Sequence, residues 1–240
     1  MKIDHDKCIS CLECIDFCPM GAILERDGIV GIDQDGCVEC GVCFRAGVCT
    51  VDALYMPDES QTYPRSIRAA FSDPGVAHPQ VKQGGRGTEE MKTNDVTGRF
   101  RRGEYGITIE FGRPGIGTRL GEIENATKVL CSMGVEIEAA NPTYYLLEDT
   151  KTGKMKDEVR REKVLTAILE VKLKEEQLED VLKALVPVLE EADTVVSVGL
   201  VTRFAEDGTL PAIPRLKALG IPVRPNAKIN MGLGRPIFET

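Results

Sequence analysis

Cys8-Ile-Ser-Cys11-Leu-Glu-Cys14-Ile-Asp-Phe-Cys18-Pro19, near the start of a 240-residue chain, decides how that end folds. Two residues separate each of the first three cysteines, so consecutive tight turns aim three sulfurs at one centre. A second run, Cys37-Val-Glu-Cys40-Gly-Val-Cys43-Phe-Arg-Ala-Gly-Val-Cys49, follows 29 residues later, counted between first cysteines. Around both runs the chain repeats itself: Asp4 to Cys8 through Gly21-Ala22-Ile23 recurs as Asp33 to Cys37 through Asp52-Ala53-Leu54. Internal duplication of this kind is an architectural signal. Of the nine cysteines only Cys131 lies outside these runs. The odd count and the Cys-x-x-Cys-x-x-Cys spacing point to thiolates on metal and not to disulfides.

The second run departs from the first. Five residues separate Cys43 from Cys49 where three separate Cys14 from Cys18, and Thr50 stands in the place of Pro19. The two extra residues must bulge, and Gly47 tolerates the dihedrals a bulge needs. Residues 1–56 carry 10 acidic and 4 basic side chains, a net charge of −6 against −8 for the whole chain. The cysteine-rich end is therefore the acidic end. That argues against nucleic acid or an anionic membrane as partner, and for a protein partner with a basic docking face. No stretch approaches the roughly 20 consecutive apolar residues of a spanning helix, and Met1-Lys2-Ile3-Asp4 opens no apolar signal segment. The expectation is a cytoplasmic protein of ordinary globular composition, 42% hydrophobic.

From 57 to 104 the chain shows Pro64, Pro74, Pro79, Gly84-Gly85, Gly87 and Gly98 with few apolar residues, which reads as a long irregular connector. Beyond it Ile107, Ile109 and Phe111 alternate as in a strand. Leu120, Ile123, Thr127, Leu130 and Cys131 fall at helical spacing, and a strand follows from Val135. The order then recurs. Leu165, Ala167, Leu169, Val171 and Leu173 alternate, Leu178, Val181, Leu182, Leu185, Val186 and Leu189 mark one helix face, and Thr194 to Thr202 is extended. Two β-α-β units predict, over 105–240, a βαββαβ ferredoxin-like α/β sandwich: a four-stranded antiparallel sheet with both helices on one face. Pro187 is expected to kink the second helix or end it early. The tail from Pro211 to Pro236 is expected to wrap the sandwich. The class is α+β, divided at 1–56, 57–104 and 105–240.

The 1–56 segment resembles the bacterial two-cluster ferredoxins through Cys8-x2-Cys11-x2-Cys14-x3-Cys18-Pro19, the second run and the repeat relating them. The resemblance covers 56 of 240 residues. It implies two [4Fe-4S] clusters and low-potential, one-electron transfer between them. In ferredoxin runs of this spacing the fourth cysteine ligates the other cluster. Carried over, cluster I takes Cys8, Cys11, Cys14 and Cys49, and cluster II takes Cys37, Cys40, Cys43 and Cys18. Each cluster then ties the two halves together. A segment below about 60 residues is marginal on a hydrophobic core alone, so the clusters are expected to supply much of its folding energy. Zinc is the competing metal, but zinc sites space two cysteine pairs by a longer stretch and need no third cysteine three residues on. Clusters that only staple the domain are the plainer alternative to electron transfer.

Two glycine-rich stretches carry weaker signals. Gly84-Gly85-Arg86-Gly87 has backbone suited to an anion-binding nest, against the plainer reading of a solvated loop. Gly112-Arg113-Pro114-Gly115-Ile116-Gly117, between a strand and a helix, offers free N–H groups to an anion, against the plainer reading of a tight turn. Gly85, Arg86, Gly87, Arg113, Gly115 and Gly117 are thus the candidate anion or partner site. The dinucleotide fingerprint is incomplete there, which excludes NAD. Residues 84–99 and 111–117 are similar to segments of ferredoxin-containing anaerobic reductases such as 6-hydroxynicotinate reductase, a resemblance that carries over no catalytic residue. Cys131 on an apolar helix face reads as structural. His5 and His78 are isolated, the run from Lys154 to Lys163 reads as a solvated hairpin, and no catalytic constellation emerges.

These observations favour an electron carrier, or an electron-transfer subunit of a cytoplasmic oxidoreductase complex. In it the C-terminal sandwich docks the module to a catalytic partner and is the surface for any homo-oligomer. A redox-linked regulator that binds a small ligand, and a reductase component with a substrate site between the modules, are the alternatives.

Overall fold

A computed structural model of the chain describes residues 1–82, 98–113 and 115–224. Gly85, Arg86, Gly87 and the tail beyond Arg224 lie outside the described residues.

The N-terminal module consists of β1 (Lys2–Ile3), a hairpin of β2 (Ile23–Arg26) and β3 (Ile29–Ile32), the one-turn helix α1 (Val42–Arg45) and β4 (Leu54–Tyr55). β1 and β4 pair antiparallel with Ile3 opposite Leu54, so the two ends of the module close on each other. The hairpin turns at Asp27-Gly28, both with positive φ (53° and 80°). That is the two-residue type I′ pattern, whose twist matches the strands it joins. The core is small: Met1, Ile3, Ile23, Val30, Ala53 and Leu54 with Cys43. The two extra residues of the second cysteine run lengthen a helical turn. Where the first run has the short 3-10 turn Ile15–Phe17, the second has α1, and Gly47 follows at φ 65° as left-handed glycines close many helices.

The connector was expected to hold no regular element, yet Ser66–Ser72 forms a helix, α2. Its apolar residues Ile67, Ala70 and Phe71 do sit at helical spacing, but over two turns and between Pro64 and Pro74 they give no sustained period. Packing supplies what intrinsic propensity does not: all three enter the core of the C-terminal domain.

That domain runs through β5 (Glu104–Phe111), β6 (Thr118–Arg119), α3 (Leu120–Ser132), β7 (Glu136–Ile137), β8 (Leu147–Asp149), β9 (Lys154–Met155), β10 (Lys163–Val164), β11 (Ala167–Lys174), α4 (Leu178–Glu190), β12 (Val196–Val201) and α5 (Ala212–Ala218). Its main sheet has the order β12-β5-β11-β7, all antiparallel. The register sets Ala167 opposite Phe111, Leu169 opposite Ile109 and Val171 opposite Ile107, so the period-two residues share one buried face. Against that face lie Leu120, Ile123, Ala126 and Leu130 of α3 and Leu178, Val181, Leu182, Leu185 and Leu189 of α4. The two β-α-β units are interrupted. Between β7 and β11 the chain makes the hairpin β8–β9, then sends β10 back to pair with β6. Lys154–Lys163 is therefore not a solvated hairpin, because Met155 and Val159 are fully buried within it. Nor does Pro187 end α4 early, since the helix runs on to Glu190.

α5 is anchored through Arg215, which bonds both oxygens of Glu179 and donates to the Glu175 carbonyl at 2.7 Å. The Arg215 hydrogen bond holds the Glu179 carboxyl down at about 2, from an ordinary 4.5. A carboxyl depressed on folding contributes stability above its unfolded pKa, and that stability is lost as pH falls through the folded one. We therefore expect α5 to lose hydrogen-exchange protection between about pH 4.5 and 2 while α3 keeps its own. An Arg215→Met chain should show no such pH step.

Candidate metal centre

The two cysteine runs fold alike. The Cys8 N–H donates to the Asp4 carbonyl at 3.0 Å, as Cys37 donates to Asp33 at 2.9 Å. Asp4 N–H bonds the Ala53 carbonyl and Asp33 N–H bonds the Ala22 carbonyl, both at 2.8 Å, so each half is stitched to the other's end. Left-handed residues recur at matching positions: Ser10 and Glu39, Leu12 and Gly41, Gly21 and Asp52. After the last cysteine of each run the match resumes in spite of the insertion. The Ala22 N–H donates to the Cys18 sulfur and the Ala53 N–H to the Cys49 sulfur, each at 3.2 Å.

Eight cysteines line two open recesses, four in each. One, of about 360 Å³, is lined by Cys8, Cys11, Cys14 and Cys49. The other, of about 340 Å³, is lined by Cys37, Cys40, Cys43 and Cys18. The fourth cysteine of each run thus faces the other run's recess. Burial pushes the thiols of Cys14, Cys37 and Cys40 up, and that of Cys43 up to about 11. Burial also acts against the Cys49 thiolate, but backbone donors from Ala53, Val51 and Leu54 outweigh it and hold that thiol low. Assembly of a metal site here must therefore release protons.

A zinc ion draws four sulfurs to about 2.3 Å of one point. Among the described residues no three His, Cys, Asp or Glu side chains are placed to hold a single metal ion. A four-iron cubane instead offers one corner to each of four thiolates, with its sulfur ligands well apart. Four cysteines around each recess, with N–H groups aimed at sulfur, fit that group.

A protein-family model described as a 4Fe-4S binding domain matches residues 1–24. A ferredoxin-like protein in the vnf region of Azotobacter chroococcum is 42% identical over 60 residues, 24% of this chain and 92% of that protein. The chain belongs to the ferredoxin family through its N-terminal module. A ferredoxin of Saccharopolyspora erythraea is 33% identical over 85 residues, 33% of this chain and 78% of that one. The ferredoxin module is also similar to pyruvate synthase subunit PorD of Methanothermobacter marburgensis, 47% identical over 57 residues and 24% of this chain. The chain spans 64% of that subunit's length. No solved structure matches the chain, and no described helix is long and apolar enough to cross a membrane.

Of the remaining expected site residues, Gly85, Arg86 and Gly87 lie outside the described residues, and Arg113, Gly115 and Gly117 lie within them. Arg113 pairs with Glu110, three residues back near the end of β5, at 3.1 Å. Gly115 and Gly117 face the ferredoxin module. A Cβ on Gly115 would stand 3.5 Å from the Pro19 carbonyl, and one on Gly117 would meet the Met20 methyl at 2.5 Å and the Val164 carbonyl at 3.0 Å. These glycines make room for the module beside Cys18. Gly117→Ala, at φ 72°, is expected to cost about 1–3 kcal/mol. The change should appear as a lower urea midpoint with faster exchange at 20–22; an unchanged midpoint would separate the loop from the module. Cys131 is partly buried and donates to the Thr150 carbonyl at 3.3 Å, in keeping with a structural role. His78 is buried against the rings of Phe71 and Tyr145. Sequence reasoning missed Arg65, just before α2, and Arg68 on α2, which bind the loop carrying Cys37, and only the structure brings them there.

Proposed function

We propose that the chain passes single electrons through two [4Fe-4S] clusters, as an electron-transfer subunit of an oxidoreductase. Cys8, Cys11, Cys14 and Cys49 hold one cluster, and Cys37, Cys40, Cys43 and Cys18 hold the other. The observation that carries this is the four-and-four division of the cysteines, with the fourth of each run crossing to the other recess. A bound cluster supplies a site that gains and loses one electron. The chain's own part is to bury Cys40 and Cys43, partly bury the other thiolates except Cys11, and aim the N–H groups of Ala22 and Ala53 at sulfur.

The likeness to PorD supports a role beside a catalytic partner, and the net −6 of residues 1–56 suits a partner with a basic face. The strand order of the C-terminal domain supports a ferredoxin-like α/β sandwich that docks the module. The test is low-temperature electron paramagnetic resonance after graded dithionite reduction. Two reduced clusters close together give a spin-coupled pair at full reduction; a lone signal that saturates at one electron per chain contradicts the proposal.

A further inference from the structure

The two recesses match in sequence and backbone but differ in what covers them. Cys40 is buried at 8% exposure, whereas its counterpart in the repeat, Cys11, is exposed. Arg45 donates to the Cys40 carbonyl at 2.7 Å and pairs with the buried Asp73 just beyond α2. Gly41 lies beneath that pair, a Cβ there meeting the Arg45 guanidinium at 2.5 Å, while its counterpart Leu12 stands 46% exposed. Arg68 donates to the carbonyls of Gln34, Asp35 and Cys37 at 3.0, 3.2 and 2.6 Å. On the run that completes the same recess, Pro19 and Met20 abut Gly115 and Gly117. At the other recess Ile9 is 64% exposed, and Glu13 and Asp52 are open to solvent.

We infer that the chain has electrical polarity. The recess lined by Cys8, Cys11, Cys14 and Cys49 is the port for an external one-electron carrier protein, and the Cys37, Cys40, Cys43 and Cys18 recess is the inner end, flanked by α2, Asp73 and the loop of Gly115 and Gly117. The inference rests on the two-cluster reading above. In each passage one electron leaves the carrier for the port cluster. It then moves to the inner cluster, which goes from the 2+ to the 1+ state as the port cluster returns from 1+ to 2+; the reverse direction balances in the same way. Exposed Ile9 and Leu12 beside acidic Glu13 and Asp52 suit a carrier whose contact patch is apolar with a basic rim.

The test uses the anaerobic full-length holoprotein. Iron is withdrawn with 2,2′-bipyridyl in the presence of iodoacetamide, and the alkylated cysteines are mapped by mass spectrometry over time. Half the iron should leave first, with labels on Cys8, Cys11, Cys14 and Cys49, and Arg45→Ala should speed only the second half. A single phase labelling all eight cysteines together, or first labels on Cys37, Cys40 and Cys43, overturns the polarity. Early labelling of Cys18 in place of Cys49 overturns the ligand sets, a separate failure. A second measurement follows one-electron oxidation of the reduced chain by hexaamminecobalt(III). Glu13→Lys should slow it about tenfold at low salt, and Asp157→Lys, on the other domain, should not. Equal rates for both variants would remove the port.

Discussion

Chelating the iron from anaerobically purified protein is expected to unfold residues 1–56 and leave the four-stranded sheet standing. The module's strands are two to four residues long, and its apolar core is Met1, Ile3, Ile23, Val30, Ala53 and Leu54 beside Cys43. A core of that size is marginal below about 60 residues, so the binding energy of the metal becomes folding energy. The cross-recess placement of Cys18 and Cys49 sharpens the effect, because each cluster would join both halves. The C-terminal domain has no such dependence: Ile107, Ile109, Phe111, Leu169, Val171, Leu178 and Leu185 are wholly buried within it. Hydrogen exchange should therefore show complete loss of protection in β1, β3 and β4 and little change in β5 and β11. Protection retained in β1 and β4 without iron would mean the apolar core suffices.

Arg68→Met is expected to destabilise the junction by about 3–5 kcal/mol, the usual cost of removing one partner of a buried ion pair. The Arg68 side chain is 6% exposed and bonds Glu162, itself 13% exposed, besides the three carbonyls of the Cys37 loop. Methionine fills much of the same volume but leaves that carboxylate and those carbonyls without their donor. Lysine keeps the charge without the planar fork and should restore only part of the loss. Denaturant melts of the iron-loaded chain, with exchange read at 34–37 and in α2, measure it. A change below 1 kcal/mol would show that the contact between α2 and the module is incidental.

What was legible in the sequence was local. The cysteine runs and their repeat fix where sulfurs and turns fall, and β5, α3, β11 and α4 declare themselves because each is long enough to show a period. Asp27-Gly28 was an available hairpin signal between apolar runs. α2 was hidden by its brevity, and the chain's apolar count from 57 to 104 gave no warning that Ile67, Ala70 and Phe71 join a distant core. Gly115 and Gly117 looked like an anion cradle because glycine's permissiveness is the same whether the neighbour is a ligand or another part of the protein; Pro19 and Met20 are nearly a hundred residues away. The unequal cover of Cys11 and Cys40 is likewise tertiary, set by Arg45, Asp73 and Arg68.

Iron and acid-labile sulfide content of the anaerobically purified chain, measured together with zinc, tests the central claim most directly. Two [4Fe-4S] clusters require about eight irons and about eight sulfides per chain and no stoichiometric zinc. About four irons would mean that one of the two cysteine recesses holds no cluster, and zinc without sulfide would contradict the electron-transfer account altogether.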